Sequence, residues 1–170
     1  DLDETIFKAI NPGNLSRSKL IWSQIERLQK LECPHTGSRA KQWKGKRSQI
    51  VGKKFENLIS YLFENSKVFS VSTNISTESS EIDLLIELGM MATKIPFLNG
   101  AGSYIIGEAK CHSEGPKTQW VARLRGLMET HSTSRSFLIA GCTPRTVHRK
   151  IRAEISLNAA QNKVVVLIGT

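Results

Sequence analysis

Hydrophobic positions along this chain follow two periods. Between 16 and 32, Leu20, Ile21, Ile25, Leu28 and Leu31 recur at helical spacing, and Val51, Phe55, Leu58, Ile59, Leu62 and Phe63 do the same over 51–65. The period then shortens to two. Phe69, Val71 and Ile75 alternate with polar residues, and two apolar runs of strand length follow, Ile82 to Leu88 and Tyr104 to Lys110. Trp120, Val121, Leu124, Leu127 and Met128 restore helical spacing from Thr118, and Ser136 to Ala140 reads as a short buried strand. Thr143-Pro144 opens a further helix carrying Val147, Ile151 and Ile155, and Lys163 to Ile168 reads as a last strand.

This pattern predicts an α/β fold in the order α-β-β-β-α-β-α-β behind an N-terminal helical appendage. The two runs flanking 89–103 form an antiparallel pair, and the closing β-α-β unit is parallel and right-handed. The 89–103 connection is long and carries Met90, Met91, Ile95, Phe97 and Leu98, so it is expected to fold back on the core. Residues 1–49 are expected to hold the N-terminal helix and a basic linker, and 50–170 the core domain. A first residue other than Met and an end just after a strand suggest a domain excised from a longer protein, with a specificity domain elsewhere.

Charge narrows the partners. Lys and Arg total 24 against 15 acids, a net charge of +9, which attracts polyanions such as nucleic acid. No apolar run approaches the roughly 20 residues that span a bilayer, so no membrane role is expected. Three cysteines without framework spacing suit a reducing, cytoplasmic setting. The surplus is concentrated in Arg39, Lys41, Lys44, Lys46, Arg47, Lys53 and Lys54, a stretch without an acid after Glu32. These seven cations are candidate DNA phosphate contacts, with a solvated linker as the even alternative.

The chemistry-bearing residues sit in the 80–110 region. Asp83 lies in one strand of the antiparallel pair, while Glu108 and Lys110 project from one face of the other. Two carboxylates and an ammonium at the rim of an apolar sheet need a counter-ion, a metal or a salt-bridge network. Two hard oxygen ligands suit Mg²⁺, with Mn²⁺ as substitute, and a lysine beside the metal-bound water would complete a hydrolytic site. On a helical wheel Glu56 falls at the edge of its apolar arc, within reach of such a rim. No Walker A loop, dinucleotide fingerprint or G-x-S-x-G elbow is present.

Asp83 followed by Glu108-Ala109-Lys110 resembles the D…(D/E)-x-K signature of the PD-(D/E)XK, or restriction-endonuclease-like, nucleases, and Glu56 matches the acidic residue that many members carry on the first core helix. The resemblance covers roughly Ile50 to Ile168. It implies a three-layer α-β-α core with a mixed central sheet and a metal-dependent DNA endonuclease leaving a 5′-phosphate and a 3′-hydroxyl. It also implies Asp83, Glu108 and the Ala109 carbonyl as Mg²⁺ ligands, Lys110 orienting or deprotonating water, and Glu56 serving a second metal or a water. Gln119 would be accessory, and a homodimer would cut both strands. A restriction enzyme of a prokaryotic cell is the first expectation. A Holliday-junction resolvase or repair nuclease is the second, and a non-catalytic DNA-binding module the third.

Overall fold

A computed structural model of the chain describes residues 17–65, 68–112, 116–141, 153, 156–157 and 164–169. The chain divides into two compact units, 1–58 and 59–170.

The first unit is a helical hairpin. Helix α1, Arg17–Lys30, buries Ile25 and Leu28, and helix α2, Gly37–Asn65, gives it Trp43, Val51, Phe55 and Leu58 as buried positions. Gln24 meets Lys54, and the end of α1 meets Arg47, so the two helices run antiparallel. Trp22 and Phe55 meet between them, their rings tilted by 57° with centroids 6.4 Å apart. The intervening turn requires Gly37, whose φ of 62° most residues with a Cβ avoid. The polar stretch before Val51 is therefore helical, where a linker was expected. Lys, Arg and Gln are good helix formers, so a run of them does not break a helix, and burial of Trp43 holds the added turns in place.

In the second unit the five strands of a mixed sheet lie in chain order: β1, Phe69–Ser76; β2, Glu81–Leu88; β3, Tyr104–Cys111; β4, Ser136–Gly141; β5, Val164–Gly169. The first two pairings are antiparallel and the last two parallel. Helix α3, Thr118–Thr130, connects β3 to β4 and packs Val121, Leu124, Leu127 and Met128 into one cluster with Ile106, Leu138 and Val164. On the other face Phe137 meets Phe97 at 5.7 Å and Phe63, from the last turns of α2, at 5.7 Å. The coarse α/β class thus follows the periodicity. The helix expected from Thr143 falls almost wholly outside the described residues.

The 89–103 connection forms two 3-10 turns, Met90–Lys94 and Pro96–Leu98, and buries Ala92, Leu98 and Ala101. It folds back as expected: Arg135 Nε donates to the Phe97 carbonyl at 3.0 Å. No described helix is long and apolar enough to cross a membrane.

β3 approaches β2 closely because Gly107 carries no side chain; a Cβ there would lie 3.1 Å from Leu84 Cβ. Gly107→Val is therefore expected to cost about 1–3 kcal/mol by overpacking. Leu124→Ala should cost about 2–5 kcal/mol by leaving a cavity under α3. Urea denaturation of each variant reads both losses.

Candidate functional site

The antiparallel β2–β3 ladder pairs Leu84 with Gly107 and stops there, so Asp83 and Glu108 stand one step beyond its end. Side chains directly opposite in such a pair share a face, which turns both carboxylates to the same side of the sheet. Lys110, two residues on, shares that face with Glu108. The structure brings these three sequence-predicted residues together. Lys110 Nζ lies 2.7 Å from Asp83 Oδ2 and 3.0 Å from Glu108 Oε1. Its hydrogen bond goes to Asp83; at Glu108 the distance is that of an ion pair, but the angle is wrong for a hydrogen bond.

The two carboxylates live in different surroundings. Asp83 keeps 14% of its side chain exposed and accepts a second hydrogen bond, 3.2 Å, from the Ala109 N–H. Glu108 is fully buried, and neither of its oxygens accepts a hydrogen bond. Burial raises the Glu108 pKa, and the Asp83 charge adds to the rise, while Lys110 and Arg123 oppose it. Lys110 is 29% exposed. Burial alone would lower its pKa, but the Asp83 hydrogen bond and the two carboxylate charges outweigh this and raise it. Beside a divalent cation a lysine pKa would fall. With carboxylates as neighbours the direction reverses, and Lys110 is an ammonium at neutral pH.

Two residues enter that the sequence reading passed over. Arg123 of α3 reaches Glu108 Oε1 at 3.6 Å through Nε and the Glu81 carbonyl at 3.1 Å through Nη2. The signal was its place beside Leu124 and Leu127 at the border of the buried arc, the position a long side chain uses to reach back over a sheet. Asn74 of β1 falls opposite Asp83 in the register and has a φ of 54°, breaking the regular ladder there. Asn is among the few residues that tolerate this conformation, and such outliers gather at functional sites.

Glu56 belongs to the first unit, on α2, where Lys53 pairs with it at 3.5 Å. Gln119 is exposed in the first turn of α3, one turn before Arg123. Of the seven basic candidates, Arg47 donates to the Leu31 carbonyl at 2.6 Å and lies 5.0 Å above the Trp43 ring, capping the end of α1. Lys54 donates to Gln24 at 2.8 Å, and burial lowers its pKa. Lys53 is taken up with Glu56, whereas Arg39, Lys41, Lys44 and Lys46 are exposed.

Among the described residues no group of three or more His, Cys, Asp or Glu side chains converges. The donor set is two carboxylates and a backbone carbonyl. Ala109 N–H faces Asp83, and in an extended strand the carbonyl of the same residue faces the same edge, here the open end of the β2–β3 ladder. Two oxygens of Glu108 without hydrogen bonds, and an ammonium drawn between two carboxylates, fit a position made for a cation.

The raised Glu108 pKa means that the folded chain retains this proton at a pH where the unfolded chain has released it. Without divalent metal, its contribution to stability therefore falls as pH rises from the ordinary carboxylate range through the raised folded value. Glu108→Gln should remove that slope, seen as urea midpoints that vary less with pH than those of the parent. Comparison of the chain with protein-family models, with curated proteins and with solved structures finds no match in any of the three.

Proposed function

We propose that this chain is a metal-dependent DNA endonuclease of the restriction-endonuclease-like kind, with Asp83, Glu108 and Lys110 as its catalytic set. The observation that carries the reading is the meeting of these side chains around one ammonium, at 2.7 and 3.0 Å, where the β2–β3 ladder opens. The mixed sheet, with helix α3 between β3 and β4, agrees with the resemblance. So does the net charge of +9, which favours a polyanionic substrate.

Asp83, Glu108 and the Ala109 carbonyl would hold Mg²⁺, which supplies water activation and charge neutralisation when bound. Lys110, displaced from between the carboxylates, would orient or deprotonate the attacking water and steady negative charge as it develops. Arg123 is free to follow when a cation replaces it at Glu108, and its guanidinium matches a phosphate. A homodimer cutting both strands, and a separate specificity domain, belong to the same proposal.

A second reading has its own support. Full burial of Glu108 beneath Lys110 and Arg123 also suits a permanent ion-pair network in a DNA-binding module without catalysis. Purified chain incubated with Mg²⁺ or Mn²⁺ and supercoiled plasmid, linear duplex or a four-way junction decides between them. Cleavage is expected, with Asp83→Asn and Lys110→Met each lowering its rate by at least about 100-fold while the protein stays folded. Preference for the junction would point to a resolvase. DNA that is bound but left intact under every metal condition would leave the module reading.

A further inference from the structure

The charged side chains that meet at the end of the β2–β3 ladder cancel when both carboxylates are ionised: Asp83 and Glu108 stand against Lys110 and Arg123. The two cations are held unequally. Lys110 donates a hydrogen bond to Asp83 at 2.7 Å and stands between the carboxylates. Arg123 Nε stops 3.6 Å from Glu108 Oε1, too far for a good hydrogen bond, and 49% of the side chain is exposed. Its hydrogen bond goes to a neutral acceptor, the Glu81 carbonyl, at 3.1 Å through Nη2. A guanidinium carries further donors in a planar fork.

Movement of Arg123 needs only its side chain to turn. Val121 and Leu124, close before and after it, are fully buried in the cluster beneath α3, so the helix itself is fixed there. Glu108 sets the condition for that movement. It is fully buried and neither oxygen accepts a hydrogen bond, so taking away one of its two cations leaves a dry carboxylate short of positive charge. Arg123 therefore leaves Glu108 only when another cation arrives. The converse also holds: a divalent cation entering a site whose charges already cancel gains little net attraction until Arg123 has gone to another anion. DNA brings that anion, since a backbone phosphate accepts the fork of a guanidinium through two parallel hydrogen bonds.

We infer that Arg123 couples metal to substrate: in the metal-free chain it holds a cation's place at Glu108, and when Mg²⁺ is bound it passes to a DNA backbone phosphate. Metal and DNA then each raise the affinity for the other, by the same factor. The inference rests on the proposed reading of this site as one for Mg²⁺ and DNA, though not on cleavage. It makes the DNA contact of Arg123 conditional, present with metal and withheld without it.

The test uses the whole chain and two readouts other than cleavage. Mn²⁺ binding without DNA is followed through the electron paramagnetic resonance signal of the free ion, for the parent, Arg123→Gln and Asp83→Asn. Arg123→Gln removes the competing charge and should bind Mn²⁺ at least about fivefold more tightly than the parent, whereas Asp83→Asn should lose the ion. Affinity for a labelled DNA duplex is measured by fluorescence anisotropy in EDTA and again in Ca²⁺, which takes the same oxygen ligands in a looser geometry, with a gel confirming that the duplex is intact. Ca²⁺ should tighten DNA binding by the parent. Arg123→Gln should weaken DNA binding at least about tenfold in Ca²⁺ but less than about threefold in EDTA, where the guanidinium stays at Glu108.

Mn²⁺ affinity unchanged or weakened in Arg123→Gln, equal losses of DNA affinity with and without Ca²⁺, or a parent whose DNA affinity ignores Ca²⁺ would each overturn the coupling. Mn²⁺ held through Asp83, with DNA cut normally by Arg123→Gln, would sink the coupling and leave the nuclease. Coupling of the expected size in a chain that never cuts DNA with Mg²⁺ or Mn²⁺ would sink the nuclease reading and leave the coupling. Absence of Mn²⁺ uptake by both parent and Arg123→Gln would sink the two together.

Discussion

A carboxylate taken wholly out of water must find a positive charge or give up its own, and Glu108 is held between these outcomes. Its oxygens have no hydrogen bonds, Lys110 sits at ion-pair distance, and Arg123 closes over it from α3. The same ammonium is hydrogen-bonded to Asp83, so one cation serves two carboxylates of opposite character, one dry and one partly wet. Desolvation of this size is repaid only by close opposite charge. The end of the β2–β3 ladder is therefore organised around whatever cation occupies the gap, and the three side chains cannot be considered separately.

The sheet makes that convergence possible. Antiparallel pairing of β2 with β3 sets Asp83 across from Glu108, and the alternation of side chains along β3 brings Lys110 to the same face. Gly107, one residue earlier, lets β3 lie against Leu84, fixing the spacing of the strands just where the ladder stops. Parallel pairing of β3 with β4 requires a crossover, and α3 supplies it while carrying Arg123 to the site. Positive φ at Asn74 marks the other neighbour of Asp83 and ends the regularity of β1 at the same level.

Charge in the first unit follows a different logic. A run of seven cations without an acid would repel itself if it were all surface, yet three of the seven are put to structural use. Arg47 satisfies carbonyls left open at the end of α1, a task any helix end requires, and Lys54 holds α1 through Gln24. By helical geometry Arg39 and Lys46 fall on one face of α2, and Lys41 and Lys44 on another.

Much of this was written in the sequence. The succession of helices and strands, the antiparallel β2–β3 hairpin, the helix between β3 and β4, and the placing of Asp83, Glu108 and Lys110 on that hairpin all follow from a period of two, a period of 3.6 and the geometry of a hairpin, which are local properties of the chain. The length of α2 was not legible, because a helix of lysines, arginines and glutamines looks like a linker when one tryptophan is its only large apolar residue over three turns. Arg123 escaped for a related reason: its helix face says outward, and only the place of α3 over the sheet shows how far back a guanidinium reaches. Composition by itself thus determined which elements form and which residue types carry charge. The tertiary structure alone decided which charges are buried, because desolvation depends on neighbours distant in sequence, and so it decided that Arg47 and Lys54 bind the protein itself.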